Sequence, residues 1–268
     1  MSRQRSDVDK SCEPVARVVI LGASNVTRSV STLVETLGIV LGGPLEIMFA
    51  LGHGRSYGID SRVLGRQLPG ITNCGLWDAL AVAPPRPTYA LITDIGNDIL
   101  YEAPTSLIGD WVRLCLERLA AVESRTIVTA LPLANLETLS ASRFRLFRTV
   151  IFPRSRLQLD DVATAAANLD QLVARSVSEH NATRVVPRRE WYGLDPIHVK
   201  MRDWATSWQE ILSIWASEEK KLLPARGSLK RWLYLRRLRP ETWRMWGISR
   251  HCAQPCGRLR DGSTIALY

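Results

Sequence analysis

Short, largely apolar runs alternate along this chain with longer segments in which apolar residues recur every three or four positions. The first run, residues 18–21, stops at Gly22. Four apolar residues closed by a glycine predict a strand buried on both faces. Behind it Val26, Val30, Leu33, Val34 and Leu37 share one face of a helix, which Gly38 is expected to stop. Further strands are predicted at residues 44–50, 89–95, 126–131 and 184–187. Helices are predicted from about residue 60 to 69–70, then over 105–122, 161–179 and 199–215. In the second of these, Leu107, Trp111, Leu114, Leu116 and Leu119 supply much of the apolar face. Residues 77–87, rich in Ala and Pro, and 191–198 predict loops.

Strand followed by helix, five times over, predicts an α/β fold. It is a three-layer, doubly wound, mainly parallel five-stranded sheet with helices on both faces. Residues 1–16 read as a polar leader, 17–216 as the compact domain and 217–268 as a basic, Trp/Arg-rich C-terminal extension. Between strand four and the long helix, residues 138–160 interleave Arg143, Arg145, Arg148, Arg154 and Arg156 with Phe144, Phe147, Ile151 and Phe152. Two readings stand for it: a lid, or a surface helix with its apolar side on the body.

Composition narrows the class. The 268 residues are 46% apolar and 23% charged, as in a globular protein. No run reaches the ~20 apolar residues of a membrane span. Residues 1–16 lack the apolar middle of a secretory signal, so a cytoplasmic location is expected. Five cysteines at irregular spacing do not make a disulfide framework. Cys74 and Cys115 read as buried thiols, and Cys252 and Cys256 beside His251 lack the further ligands a zinc site needs. No cofactor and no metal is expected.

The net charge of +9 is uneven: over residues 220–260 only Glu241 opposes a run of lysines and arginines. Leu229, Trp232, Leu233, Leu235 and Leu238 give that tail an amphipathic helix with basic flanks. Three readings follow. The tail packs its aromatics on the body with its arginines in water, or it contacts a membrane surface, or, behind both, it binds nucleic acid.

The candidate chemistry lies at the predicted strand ends. Acyl transfer needs a nucleophile, a base to take its proton, an acid to orient the base, and donors for the developing oxyanion. Ser24 follows strand one, where it is either a helix N-cap or a nucleophile at the positive end of the helix. Gly54 lies in the glycine-rich loop 52–58 after strand two and offers a backbone N–H. Asn97 follows strand three with a side-chain amide. Asp195 and His198 lie in the loop after strand five, as Asp-Pro-Ile-His. Pro196 bends the backbone so that the carboxylate can face one ring nitrogen and leave the other for Ser24. In a parallel sheet all these ends lie on one edge, so the residues can converge. His53, in the glycine loop, reads as a loop residue with no role in chemistry, or behind that as one that lines the pocket. Asp94 and Asp98 make a thin metal site without a histidine, and Asp98 reads as support for the Asn97 turn.

In order and spacing these residues resemble the SGNH (GDSL-type) hydrolase superfamily. Gly22-Ala23-Ser24-Asn25 is similar to its first block, Gly-Asp-Ser-Leu; the loop 52–58 to its second, Gly96-Asn97-Asp98 to its third, and Asp195-Pro-Ile-His198 to its last. The resemblance spans residues 17 to about 216. It implies a flavodoxin-like α/β hydrolase cleaving esters through an acyl-enzyme on Ser24. His198 would be general base and Asp195 its orienting acid. The Ser24 and Gly54 N–H groups and the Asn97 amide would form the oxyanion hole, with Gly58 in reserve for Gly54. Ala23 departs from the first block by removing a carboxylate that supports the serine loop, and Asn25 replaces its leucine; Ile95 stands where the third block often has glycine. The expected partner is a small-molecule or acylated ester. The alternative is a non-catalytic ligand-binding protein on the same scaffold, anchored to a membrane by its basic tail. Neither the acyl group nor the oligomeric state follows from the sequence.

Overall fold

The computed structural model describes residues 13–136, 139–140, 142–145, 149, 155–193, 195–217 and 222–268. In chain order these form β1 (Ala16–Leu21), α1 (Ser24–Leu41), β2 (Leu45–Ala50), β3 (Ser61–Val63), β4 (Arg66–Leu68), α2 (Leu76–Ala81) and β5 (Thr88–Ile92). Then come α3 (Asn97–Leu100), α4 (Thr105–Ala120), β6 (Arg125–Thr129), α5 (Leu133–Leu136), α6 (Leu159–Glu179), β7 (Thr183–Val185) and α7 (Trp204–Leu212). The tail adds α8 (Leu229–Arg237), β8 (Thr242–Met245), β9 (Ile248–His251), β10 (Gly257–Arg258) and β11 (Thr264–Leu267).

The main sheet has the order β10-β11-β2-β1-β5-β6-β7, parallel throughout except where β10 meets β11. β1 lies between β2 and β5, and its side chains alternate between two cores. Val19 and Leu21 face the core shared with α4 and α6, whereas Val18 and Ile20 face the one built with α1, α7 and α8. Burial on both faces is why β1 reads as one continuous apolar run. All five predicted strands form, with helices on both faces.

Four expectations change. Gly38 does not end α1, which runs on to Leu41 and stops at Gly42 with a φ of 79°. Packing of Val40 on the core offsets the cost of about 1 kcal/mol for a glycine inside a helix. Residues 61–68 form a hairpin, not a helix. Leu64 and Gly65 turn with φ of 49° and 78°, the positive values a tight hairpin turn uses. That hairpin continues through β8 and β9 into a four-stranded sheet, so a partner about 180 residues away fixes its structure. The stretch 77–87 begins with α2 rather than being loop throughout. The main sheet has seven strands rather than five, because β11 pairs with β2 in parallel and β10 caps it.

The tail beyond residue 217 is therefore built into the body. Ile265 is wholly buried, and Trp232, Leu235 and Leu238 pack on the α1 side of the sheet. Leu229 and Leu233 of α8 face solvent. The segment 138–160 lies partly outside the described residues; within it Leu139 and Phe144 are buried. Among the described residues no helix is long and apolar enough to cross a membrane. Cys74 and Cys115 are buried free thiols.

Candidate active site

The site lies at the carboxyl edge of the main sheet, around the first turn of α1. Gly22 leads into it. A Cβ there would meet the side chains of Val26 and Thr93 at 2.7 and 2.8 Å, so only glycine lets β1 pass this close. Ser24 opens α1 and is buried, but it makes no capping bond. Its Oγ lies 2.7 Å from His198 Nε2. The other ring nitrogen of His198, Nδ1, lies 2.6 Å from Asp195 Oδ2. Asp195 Oδ1 also accepts from the backbone N–H groups of Ile197 and His198, both at 3.2 Å. Burial works to raise the Asp195 carboxyl. The hydrogen bond and charge of His198, with those two N–H groups, outweigh it and hold the carboxyl below its usual range. His198 is itself buried, so its ring is oriented by its neighbours rather than by water.

Asp94, at a φ of 59°, is the hinge of the serine turn. Its carboxylate accepts from Ala23 N–H at 2.9 Å, Asn25 N–H at 3.0 Å and the Asn25 amide at 2.7 Å. It thus supplies, from the end of β5, the carboxylate support that Ala23 does not. Asn25 carries the support onward. Its amide also donates to the Ile197 carbonyl at 2.9 Å, and its side-chain oxygen accepts from Val199 N–H at 2.9 Å. The turn that carries Ser24 and the loop that carries His198 are therefore tied together by one side chain. Asp94 clamps the serine turn through these bonds, and among the described residues there is no group of three or more His, Cys, Asp and Glu that could hold a metal ion.

The loop after β2 is held from three sides. The Ser56 hydroxyl and the Tyr57 N–H (2.9 Å) donate to Asp98, so that side chain braces the glycine loop rather than its own turn. Burial pushes the Asp98 carboxyl up to about 6, against the pull of those two bonds. The Tyr101 hydroxyl donates to the Gly54 carbonyl at 2.6 Å, and Tyr57 donates to the Thr93 carbonyl at 2.7 Å. The fully buried Arg55 donates to the carbonyls of Leu51, Pro69 and Tyr268. Asn97, also buried, donates to the Arg55 carbonyl at 3.5 Å.

Gly54 has a φ of 60°, and its N–H makes no hydrogen bond among the described residues. The Gly58 N–H is already given to Ser56 Oγ at 3.1 Å. Ser24 and Asn97 line one cavity of about 100 Å³, with Leu100, Leu131, Leu136 and Val162 among its apolar walls; Gly54 does not line it. His53 is outside that cavity too. It is exposed and lies 3.2 Å from Arg236 of α8. No sequence motif singles out Asn25, Arg55, Tyr57 or Tyr101. The one local signal was the pair of carboxylates flanking Gly96-Asn97.

As a class this is an α/β protein whose sheet edge carries a serine, a histidine and an aspartate in one hydrogen-bonded series. No protein-family model matches the chain, and no curated protein does. Several solved structures are similar at low identity. A psychrotrophic esterase from Pseudoalteromonas sp., in a form inhibited by monoethylphosphonate, is 11% identical over 74% of this chain and 93% of its own, with a TM-score of 0.45. An acetyl xylan esterase is 11% identical over 74% and 98%, with a TM-score of 0.44. An extracellular lipase from Streptomyces rimosus is 12% identical over 75% and 100%, with a TM-score of 0.37.

Proposed function

We propose that this protein is an SGNH-type serine esterase. The observation that carries the reading is the unbroken series Ser24 Oγ, His198 Nε2, His198 Nδ1, Asp195 Oδ2, with bonds of 2.7 and 2.6 Å. In the proposed reaction the substrate acyl group enters the apolar cavity beside Ser24. Ser24 Oγ attacks the ester carbonyl while His198 Nε2 takes the hydroxyl proton. Asp195 stabilises the imidazolium and keeps the ring in place. The N–H groups of Ser24 and Gly54 and the amide of Asn97 hold the oxyanion, each donor worth ~10²–10³ in rate. His198 then gives its proton to the departing alcohol. A water, deprotonated by the same ring, attacks the acyl-enzyme, releases the acid and restores Ser24.

The alternative, ligand binding without turnover, gives the Ser24–His198 bond no task. Fluorophosphonate labelling separates the two. The wild type should label covalently and the Ser24→Ala protein should not, while His198→Ala should slow ester hydrolysis by roughly 10²–10⁴. Labelling that persists in Ser24→Ala overturns the reading.

A further inference from the structure

The two sides of Ser24 differ in character. On the side of β5 and β6 lies the apolar cavity. On the side of β2 lies the rim made by His53, α1 and the tail. Arg236 of α8 reaches His53 at 3.2 Å and stacks over the Trp232 ring at 5.1 Å. Trp232 in turn donates to the Arg28 carbonyl at 3.2 Å, fixing α8 against the first turns of α1. Arg28 lies one turn beyond Ser24, 3.9 Å from the Asp195 carboxylate. Arg66 is carried in by β4, which pairs with β8 of the tail.

Although part of the His53 side chain is exposed, desolvation of the rest of its ring and the charges of Arg236, His198, Arg28 and Arg66 hold its imidazole below the ordinary histidine range. Burial and the neighbouring Arg55, Arg239 and Arg236 push Arg66 down to about 10. Among the described residues neither Arg66 nor Arg236 pairs with a carboxylate, and Asp195, the acid beside Arg28, is shared with His198. Cations gathered at one rim with little counter-charge raise the local positive potential and attract an anion.

We propose that Arg28, Arg66 and Arg236, gathered around His53 at the rim, form a subsite for a phosphate group on the alcohol part of the ester. The inference rests on the esterase reading above. Guanidinium forks match phosphate oxygens, and three of them suit a divalent anion better than a single carboxylate. With the acyl group in the apolar cavity, the alcohol side of the scissile bond faces the cationic rim. The substrate class is then a phosphorylated alcohol ester, either a soluble metabolite or a lipid with its phosphate headgroup.

The test compares kcat/KM for 1-butyrylglycerol 3-phosphate and 1-butyrylglycerol. A preference for the phosphorylated ester of about ten- to a hundredfold is expected at low salt, shrinking as salt rises. Arg236→Gln, on an exposed helix face, and Arg66→Gln should each cut that preference about tenfold and leave 1-butyrylglycerol hydrolysis unchanged. Equal kcat/KM for the two esters in the wild type overturns the subsite, as does a loss in both variants that falls equally on both esters. The matched dodecanoyl pair distinguishes the sources: a preference at both chain lengths upholds the subsite, and the faster pair names the soluble or lipid ester. If neither ester is hydrolysed, the esterase reading has failed and calorimetry decides the subsite alone. Glycerol 3-phosphate should bind the Ser24→Ala protein and bind it more weakly once Arg236→Gln is added; no binding overturns it.

Discussion

The Asp94 carboxylate accepts three hydrogen bonds that hold the serine turn. A bond to a charged acceptor contributes about 1.5–3 kcal/mol, and a buried donor left without its partner costs a comparable amount. Asp94→Ala should therefore lower unfolding free energy by about 2–4 kcal/mol, read as a lower urea midpoint at unchanged slope. Asp94→Asn keeps one acceptor oxygen and tolerates the positive φ, so it should cost less. Asp98 makes a prediction of opposite sign. Its carboxyl titrates near 6 in the folded protein, above the ordinary carboxylate range. Between those two values the folded state binds more protons than the unfolded chain, so this group's contribution falls as pH rises through the window and levels off above about 6. Denaturant unfolding of the wild type should thus gain stability relative to Asp98→Asn as pH drops from about 7 to about 4. A pH-independent difference between the two proteins would refute that assignment.

At the scale of elements, the loop of residues 52–58 is positioned by two side chains from outside it and by one of its own. Asp98 and Tyr101 reach it from α3 and just beyond, and Tyr57 crosses to the end of β5. Gly58 packs face-on against Trp111 of α4; a Cβ there would sit 1.9 Å from the ring. Gly58→Ala must push the indole aside or shift the loop, at a cost of about 1–3 kcal/mol. A Tm drop of several degrees should accompany it, with a fall in kcat if Gly54 moves as well. Gly54→Ala meets a different obstacle, the positive φ, so the two variants separate crowding from backbone strain. The hairpin of β3 and β4 shows why this region defied its local pattern. The stretch around residues 60–70 has no clean period, and pairing with β8 decides the issue from the far end of the chain.

Over the whole molecule, the tail completes the body. β11 covers the outer edge of β2, buries Ile265, and brings the Tyr268 carbonyl to the buried Arg55 guanidinium next to Gly54. Removing residues after 217 would strip that edge and leave Arg55 short of an acceptor in a dry site. We expect the truncated chain to be insoluble or to melt without a cooperative transition, as followed by circular dichroism. A folded, cooperative product would show that the tail is dispensable. The same packing fixes α8 on α1 through Trp232 and Leu235, and so fixes Arg236 beside His53.

What the sequence determined by itself is what short-range physics encodes. The five apolar runs had to be strands, the three- and four-residue periods had to be helices, and Ser24, Asn97, Asp195 and His198 had to fall after strand ends. Asp195 and His198 were legible as a pair because three residues and one proline separate them. The tertiary structure alone decided what depends on distant partners. These are the hairpin at residues 61–68, the two tail strands of the main sheet, the Asp94 carboxylate standing in at the serine turn, and Arg236 of the tail meeting His53. The physical reason is the same for each: a contact across some 71 to 218 residues leaves no period and no spacing in the chain, and its free energy exists only once the sheet has brought both ends together.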